Sequence, residues 1–287
     1  MLFPTQLFTT HVGQQGSKLS PRLWSRIMTQ GVTPDGSAPG SFIMDDFLLF
    51  QGFTNAISGT TALPSTTVPG VDGYAIYADS ATTASGVSRQ SVAGGVARLA
   101  PGATDNHLVV LRSGPLGKIS DTAADAKLTI FEARIALPTQ VTAGSTFVGL
   151  ATSTVCADGG LVVDTGELIA ATGGGVGFRT LDADPDGIDV IYKKANETTA
   201  VVKDVAQVAT AGTFYNLGFV YDPMAPSSQR IRFFVDNEEL TSKVTGTNIA
   251  ASTFPDGDML EFVIAAKTDA TTARPVDIDC WAFYQAG

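Results

Sequence analysis

Cysteine and histidine are almost absent from this chain, at two each in 287 residues. Cys156 and Cys280 are too few for a disulfide scaffold. They read as thiols, with Cys280 expected to point into the core beside Val276 and Ile278, and a bridge stays open because sequence does not give distance. His11 and His107 lie far apart in sequence. Without Cys pairs or a nucleophile elbow beside them, neither a zinc site nor a Ser-His-Asp triad is indicated, and His107 reads as a surface residue. Charge is scarce at 16% and its balance is negative, −10 overall. That excludes a general nucleic-acid binder, which needs cationic surface for the phosphates. It suits a soluble particle that avoids sticking to nucleic acid or to itself. No stretch reaches the roughly 18 apolar residues of a membrane helix. The opening MLFPTQLFTT has neither a basic start nor a sustained apolar run. The expected setting is therefore a cytoplasm in which the protein is made and assembled without export, and the sequon Asn196-Glu197-Thr198 reads as chance.

What the chain does contain is strand after strand. From Leu128 onward come LTIFEARIAL, STFVGLA, GVGFRT, IDVIYK, FYNLGFVY, RIRFFVD, MLEFVIAAK and VDIDCWAFY. They are separated by Gly, Pro, Asp and Asn, the residues of turns. Several alternate with a period of two, which marks a sheet with one buried face. Phe131, Ala133, Ile135 and Leu137 point one way, Glu132 and Arg134 the other. Tyr215, Leu217, Phe219 and Tyr221 repeat the pattern, as do Ile231, Phe233 and Val235. Many such strands at near-regular spacing predict an all-β sandwich or barrel. Sixteen Phe against five Met predict a rigid core.

Residues 1–42 differ from the rest. They hold Lys18, Arg22 and Arg26 against the single acid Asp35, a net of +2 that leaves −12 for the remainder. Ser20 can cap a helix, Pro21 fits its first position and Gly31 can end it. Between them Leu23, Trp24, Ile27 and Met28 form a stripe at helical spacing. GVTPDGSAPGS then reads as a linker. Two readings follow for this N-terminal arm: a short helix folded back on its own sandwich, or a docking arm whose Phe3, Phe8, Leu23, Trp24, Ile27 and Met28 lie on a partner. The sandwich itself is expected over 43–287 as one domain, with 58–70 a long surface loop.

Chemistry is thinly signalled. Asp182, Asp184 and Asp186 match the first half of a calcium loop, whose alternating carboxylates converge on a hard cation. Lys193 stands where the closing bidentate Glu belongs, and Pro-Asp-Gly is also a plain hairpin turn. No other cofactor is indicated. The Gly-rich 173–177 lacks a following Gly-Lys-Ser/Thr and reads as the lead-in to a strand. Asp277 and Asp279 are expected to share a strand face with Trp281, an arrangement that fits either a sugar-stacking site or a polar outer face. Glu132 stands alone on its strand. A glycosidase needs two carboxylates across one groove, and the Glu-x-Asp-x-x-Glu pattern of jelly-roll glucanases is missing.

The order GGVARLAPGATDNHLVVLRSG, KLTIFEARIAL, STFVGLA, GVGFRT, IDVIYK, Tyr-x-Leu-Gly-Phe and IRFFVDNEEL, closed by the strand with Trp281, resembles the concanavalin A-like (laminin G-like) jelly rolls of tailed-bacteriophage virion proteins. The resemblance spans about Phe42 to Gly287. It implies a jelly-roll β-sandwich and a non-enzymatic capsid decoration or cement protein at the virion surface. The implied partners are the major capsid protein or another virion protein and further copies of the chain, with a trimer the implied form. No nucleic-acid or membrane partner is implied. Two other readings remain: a carbohydrate-binding module of a tail or head fibre that stacks sugar on Trp281, Tyr74 or Tyr77, and a glycan-cleaving enzyme.

Overall fold

The computed structural model describes residues 19–24, 40–47, 66–68, 71–78, 86–90, 95–105, 107–122, 124–137, 144–153, 173–181, 184–207, 211–268 and 273–287. In chain order the strands are β1 (Gly40–Asp45), β2 (Thr66–Val68), β3 (Val71–Ala78), β4 (Gly86–Gln90), β5 (Val96–Ala100), β6 (His107–Gly117), β7 (Thr129–Ala136) and β8 (Gly144–Ala151). They continue with β9 (Gly175–Leu181), β10 (Asp184–Lys193), β11 (Ala200–Gln207), β12 (Phe214–Tyr221), β13 (Ile231–Val235), β14 (Glu238–Val244), β15 (Leu260–Thr268) and β16 (Val276–Ala286). Two eight-stranded sheets result, both antiparallel. Sheet I runs β14-β13-β12-β7-β16-β5-β4, with β1 also on β16, and sheet II runs β11-β10-β9-β8-β15-β6-β3-β2. Helix is confined, among the described residues, to short turns such as 21–24 and Gly246–Ile249.

The period of two does its expected work. The inward positions of β7, β12 and β13 put Phe131, Phe219 and Phe233 against Phe178 of β9 and Phe262 of β15, in one core between the sheets. Burying each such ring contributes roughly 1.5–3 kcal/mol, so this column of aromatics holds the two sheets in register with each other. The β13–β14 hairpin turns through Asp236 and Asn237 at φ 47° and 68°. Positive φ at both central residues is what a tight hairpin needs, and Asp and Asn tolerate it.

One irregularity changes which side chains are inside. β16 carries a bulge between Ile278 and Cys280 where it pairs with β7, so Asp279 is an extra residue in the ladder. An extra residue inverts the alternation beyond it. Val276 and Ile278 point inward before the bulge, and Trp281 and Phe283 point inward after it. The expectation that Trp281 shares a face with Asp277 and Asp279 is therefore corrected, as is the expectation that Cys280 joins Val276 and Ile278 in the core. Cys280 lies on the outer face of sheet I, buried, and carries a thiol rather than a disulfide. Cys156 lies outside the described residues.

The N-terminal arm also meets its outcome here. Ser20 precedes the turn at 21–24, whose Trp24 N–H donates to the Ser20 carbonyl at 3.2 Å, while the Ser20 hydroxyl, expected as the cap, turns to Glu132. Leu19, Leu23 and Trp24 are buried on the outer face of sheet I with Ile130, Val220, Phe234, Ala282 and Tyr284. Leu23 and Trp24 thus pack on their own sandwich in this structure, as in the folded-back reading of the arm. Phe3, Phe8, Ile27 and Met28 lie outside the described residues. The boundary drawn after residue 42 falls inside β1, which begins at Gly40.

Candidate functional site

The best-built constellation on the molecule lies where residues 19–24 meet sheet I. Its centre is Glu132, an outward-facing residue of β7 that is nonetheless only 1% exposed. The Ser20 backbone N–H donates to both carboxylate oxygens at 3.0 Å. The Ser20 hydroxyl donates to Oε1. The indole N–H of Trp24 donates to Oε2 at 2.5 Å, and the Asn216 amide donates to Oε1 at 2.9 Å from β12. Burial pushes the Glu132 carboxyl above the ordinary glutamate value, and the hydrogen bonds from Ser20, Asn216 and Trp24 act in the opposite sense. All these donors are neutral groups, so the carboxylate is held by hydrogen bonds rather than by a countercharge.

Beside it is a hollow. Gly218 of β12 is the direct cross-strand partner of Glu132. A Cβ built at Gly218 would stand 2.5 Å from Leu23 Cδ2 and 2.7 Å from the Phe131 carbonyl oxygen. The missing side chain is the space that Leu23 fills. One ladder pair therefore supplies both halves of the seat, a carboxylate for Ser20 and Trp24 and a hollow for Leu23. The β13–β14 turn completes it. Asn237 Oδ1 accepts the Arg22 N–H at 2.6 Å, one of the amides that a helix start leaves without an intrahelical partner. Glu239 lies 3.6 Å from the Arg22 guanidinium, and it also meets Arg232 and Lys243. Burial opposes ionisation of Glu239, but the Lys243 hydrogen bond and the Lys243, Arg232 and Arg22 charges bring its carboxyl below the ordinary value.

A polar strip continues along the same face. Arg98 of β5 clamps Asp277 with two bonds of 2.7 and 2.8 Å, and Arg134 of β7 pairs with Asp279. The Arg134 guanidinium also lies 4.6 Å over the ring of half-buried Phe214. Asp279, expected as part of a sugar site, thus belongs to an ion pair. Its supposed companion Trp281 is 0% exposed, stacked on Phe262 with centroids 4.5 Å apart and planes 5° from parallel. The Trp281 indole N–H donates to the Tyr74 hydroxyl at 2.6 Å, which donates to Asp45 at 2.6 Å. Burial raises the Tyr74 and Asp45 pKa values along this chain. Tyr77 is buried as well. None of Trp281, Tyr74 and Tyr77 offers a surface ring for a sugar to stack on, which corrects that expectation.

The remaining sequence candidates are scattered. β9 and β10 pair as a hairpin with Leu181 opposite Asp184, but Pro185, Asp186 and Gly187, expected as its turn, lie within β10, which corrects that reading, and residues 182–183 lie outside the described residues. Asp184 and Asp186 lie at the start of β10, and Asp182 lies outside the described residues. Among the described residues no group of three His, Cys, Asp or Glu is placed to hold a metal ion. The Gly-rich stretch leads into β9 at Gly175. His107 opens β6 and is half-buried.

No family model matches the chain, and no curated protein matches it. Solved structures do. Peanut lectin superposes with a TM-score of 0.50 at 12% identity, over 86% of this chain and 98% of the lectin. A glycoside hydrolase family 16 endo-glucanase from Bacteroides ovatus gives 0.50 at 11% identity, over 84% of this chain and 98% of the enzyme. A protein of unknown function from Shewanella oneidensis MR-1 gives 0.48 at 14%, over 91% and 92%. The fold is therefore the concanavalin A-like jelly-roll β-sandwich, as the strand order implied. The expectation that the chain is no enzyme is withdrawn, because the same fold is that of endo-glucanases as well as lectins, and a missing sequence motif does not exclude activity on it.

Proposed function

We propose that the chain is a structural binding protein of a tailed-bacteriophage virion, a jelly roll that decorates the head shell and engages the major capsid protein or a neighbouring virion protein. The observation that supports this reading is the order of strands closed by β16, which forms the concanavalin A-like sandwich and resembles the jelly rolls of virion proteins. The net charge of −10 points the same way. A specific shell contact buries more than roughly 1,000 Å², and many copies on one particle make a weak contact decisive through avidity. Electron microscopy of particles assembled with and without the protein tests this reading. Regular added density on the shell is the expected result, and particles that are indistinguishable overturn it.

The shared fold of a lectin and an endo-glucanase favours a second reading, glycan binding or cleavage. Its best location is the strip of Arg98, Asp277, Asp279, Arg134 and Phe214, where hydrogen-bonding groups flank a partly exposed ring. A glycan array run with and without calcium, together with a reducing-end assay on bacterial polysaccharides, tests it. Binding or turnover lost in Arg134→Ala supports this second reading, and silence in both assays removes it.

A further inference from the structure

The contacts described for residues 19–24 go to groups present on the outer face of sheet I in any copy: Glu132 and Gly218 on β7 and β12, Asn237 and Glu239 at the β13–β14 turn, Phe42 of β1, and the apolar floor of Ile130, Val220, Phe234, Ala282 and Tyr284. In the sequence, residues 25–39 separate the segment from β1 at Gly40. A chain of that length spans at most about 55 Å when extended. A domain of this size has a radius of gyration of about 19 Å, so its diameter is about 50 Å. The tether is thus long enough to set residues 19–24 down on an adjacent molecule.

We infer that the seat is exchanged between copies: residues 19–24 of one chain occupy the Glu132–Gly218 seat of a second copy when copies stand side by side. The same bonds form within one chain or between two. The choice therefore depends on the effective concentration of the tethered segment, on the order of millimolar for a short linker. Below that local concentration each chain seats its own segment, and in a dense array the exchange links neighbours at little cost. The inference rests on the seat alone and does not depend on the virion reading.

Two full-length variants test it. Gly218→Val fills the hollow but leaves the segment intact, whereas Trp24→Ala cripples the segment but leaves the seat intact. Neither can seat its own segment well. Mixed at about 100 µM, they should form a one-to-one complex, read by light scattering after size exclusion and by native mass spectrometry, that neither gives alone. Adding Glu132→Ala to the Trp24→Ala chain should lower the complex at least tenfold. If either variant fails to give a sheet spectrum and a cooperative melt, Glu132→Ala replaces Gly218→Val and Leu23→Ala replaces Trp24→Ala. No complex between folded variants overturns the inference, as does a complex indifferent to Glu132. Both results would leave the virion reading standing for imaging to decide.

Discussion

Removing the Glu132 carboxylate should release residues 19–24 without unfolding the sandwich. In Glu132→Ala, the Ser20 N–H, the Trp24 indole N–H and the Asn216 amide lose their acceptor. Each buried donor left unsatisfied costs roughly 1–3 kcal/mol. Part of that is offset, because the variant no longer buries a carboxylate, and burial is the largest influence on the Glu132 pKa. The cost is also capped, since the segment can leave and let water satisfy the same donors. A net loss of about 2 kcal/mol is reasonable, and it multiplies the open population about thirtyfold. Cys280 reports it. The thiol is 0% exposed and shares a cluster with Leu19, Leu23 and Trp24. In a Cys156→Ser background, its reaction with a soluble thiol reagent should accelerate by about the same factor, because labelling through an open state tracks the population of that state. Global stability in urea should change little, because the core between the sheets is untouched. A labelling rate within twofold of the parent refutes the reasoning. So does a faster rate matched by an equal fall in global stability, which would mean that Glu132 holds β7 to β12 through Asn216 rather than holding the segment.

Gly218→Val should also open the segment, because its Cβ would stand 2.5 Å from Leu23 Cδ2, and Cys280 labelling should rise as it does for Glu132→Ala. Because that Cβ also meets the Phe131 carbonyl at 2.7 Å, the melting temperature should fall too, which scanning calorimetry will show. The seat should depend on pH with a definite sign. Burial raises the Glu132 pKa, so the seated state holds the proton more tightly than the open one. Seating is then strongest below the ordinary value of 4.5 and weakens as pH rises through the raised value. Tryptophan emission should move to longer wavelength over that rise, and Glu132→Gln should remove this component, leaving only the opposite one from Glu239, which favours seating through Arg22 when ionised. Tyr74→Phe should act on the core instead. It strips a partner from the Trp281 indole and from Asp45, costing about 2–4 kcal/mol of global stability in urea, with Cys280 labelling below the melt unchanged.

The sandwich was legible because its signal is local and repeated. Phe131, Ala133, Ile135 and Leu137 face the core as their alternation predicts, and the β12 and β13 sets do the same. The turn that starts after Ser20 was legible from Pro21 and from the apolar pair Leu23 and Trp24, whereas the Ser20 hydroxyl bonds Glu132. The seat was not legible, because it depends on residues from separate parts of the chain: Ser20, Glu132 and Gly218. Alone, Glu132 reads as an ordinary outward charge on an amphipathic strand. Gly218 reads as a weak strand residue, although a glycine at an outward position of Tyr-x-Leu-Gly-Phe is the kind of mark that close approach by another segment leaves. The aromatic readings failed for a different reason. Trp281 was placed by counting alternate residues from Asp277, and that count is valid only while the ladder is unbroken.

The bulge at Asp279 links the core to the seat. Without it, β16 would keep Cys280 in phase with Val276 and Ile278 and would turn Trp281 outward. With it, Trp281 enters the core, stacks on Phe262 and reaches the Tyr74 hydroxyl, while Cys280, Ala282 and Tyr284 form part of the outer floor under Leu19, Leu23 and Trp24. The extra residue, Asp279, is kept from being an unpaired buried charge by Arg134, which stands opposite on β7 two residues from Glu132. The same strand pair thus provides the inner aromatic stack, the outer apolar floor and the neighbouring carboxylate. A change that removed the bulge would disturb all three together, whereas Glu132→Ala acts on the seat. That separation is what makes the seat testable as an independent device on an otherwise rigid sandwich.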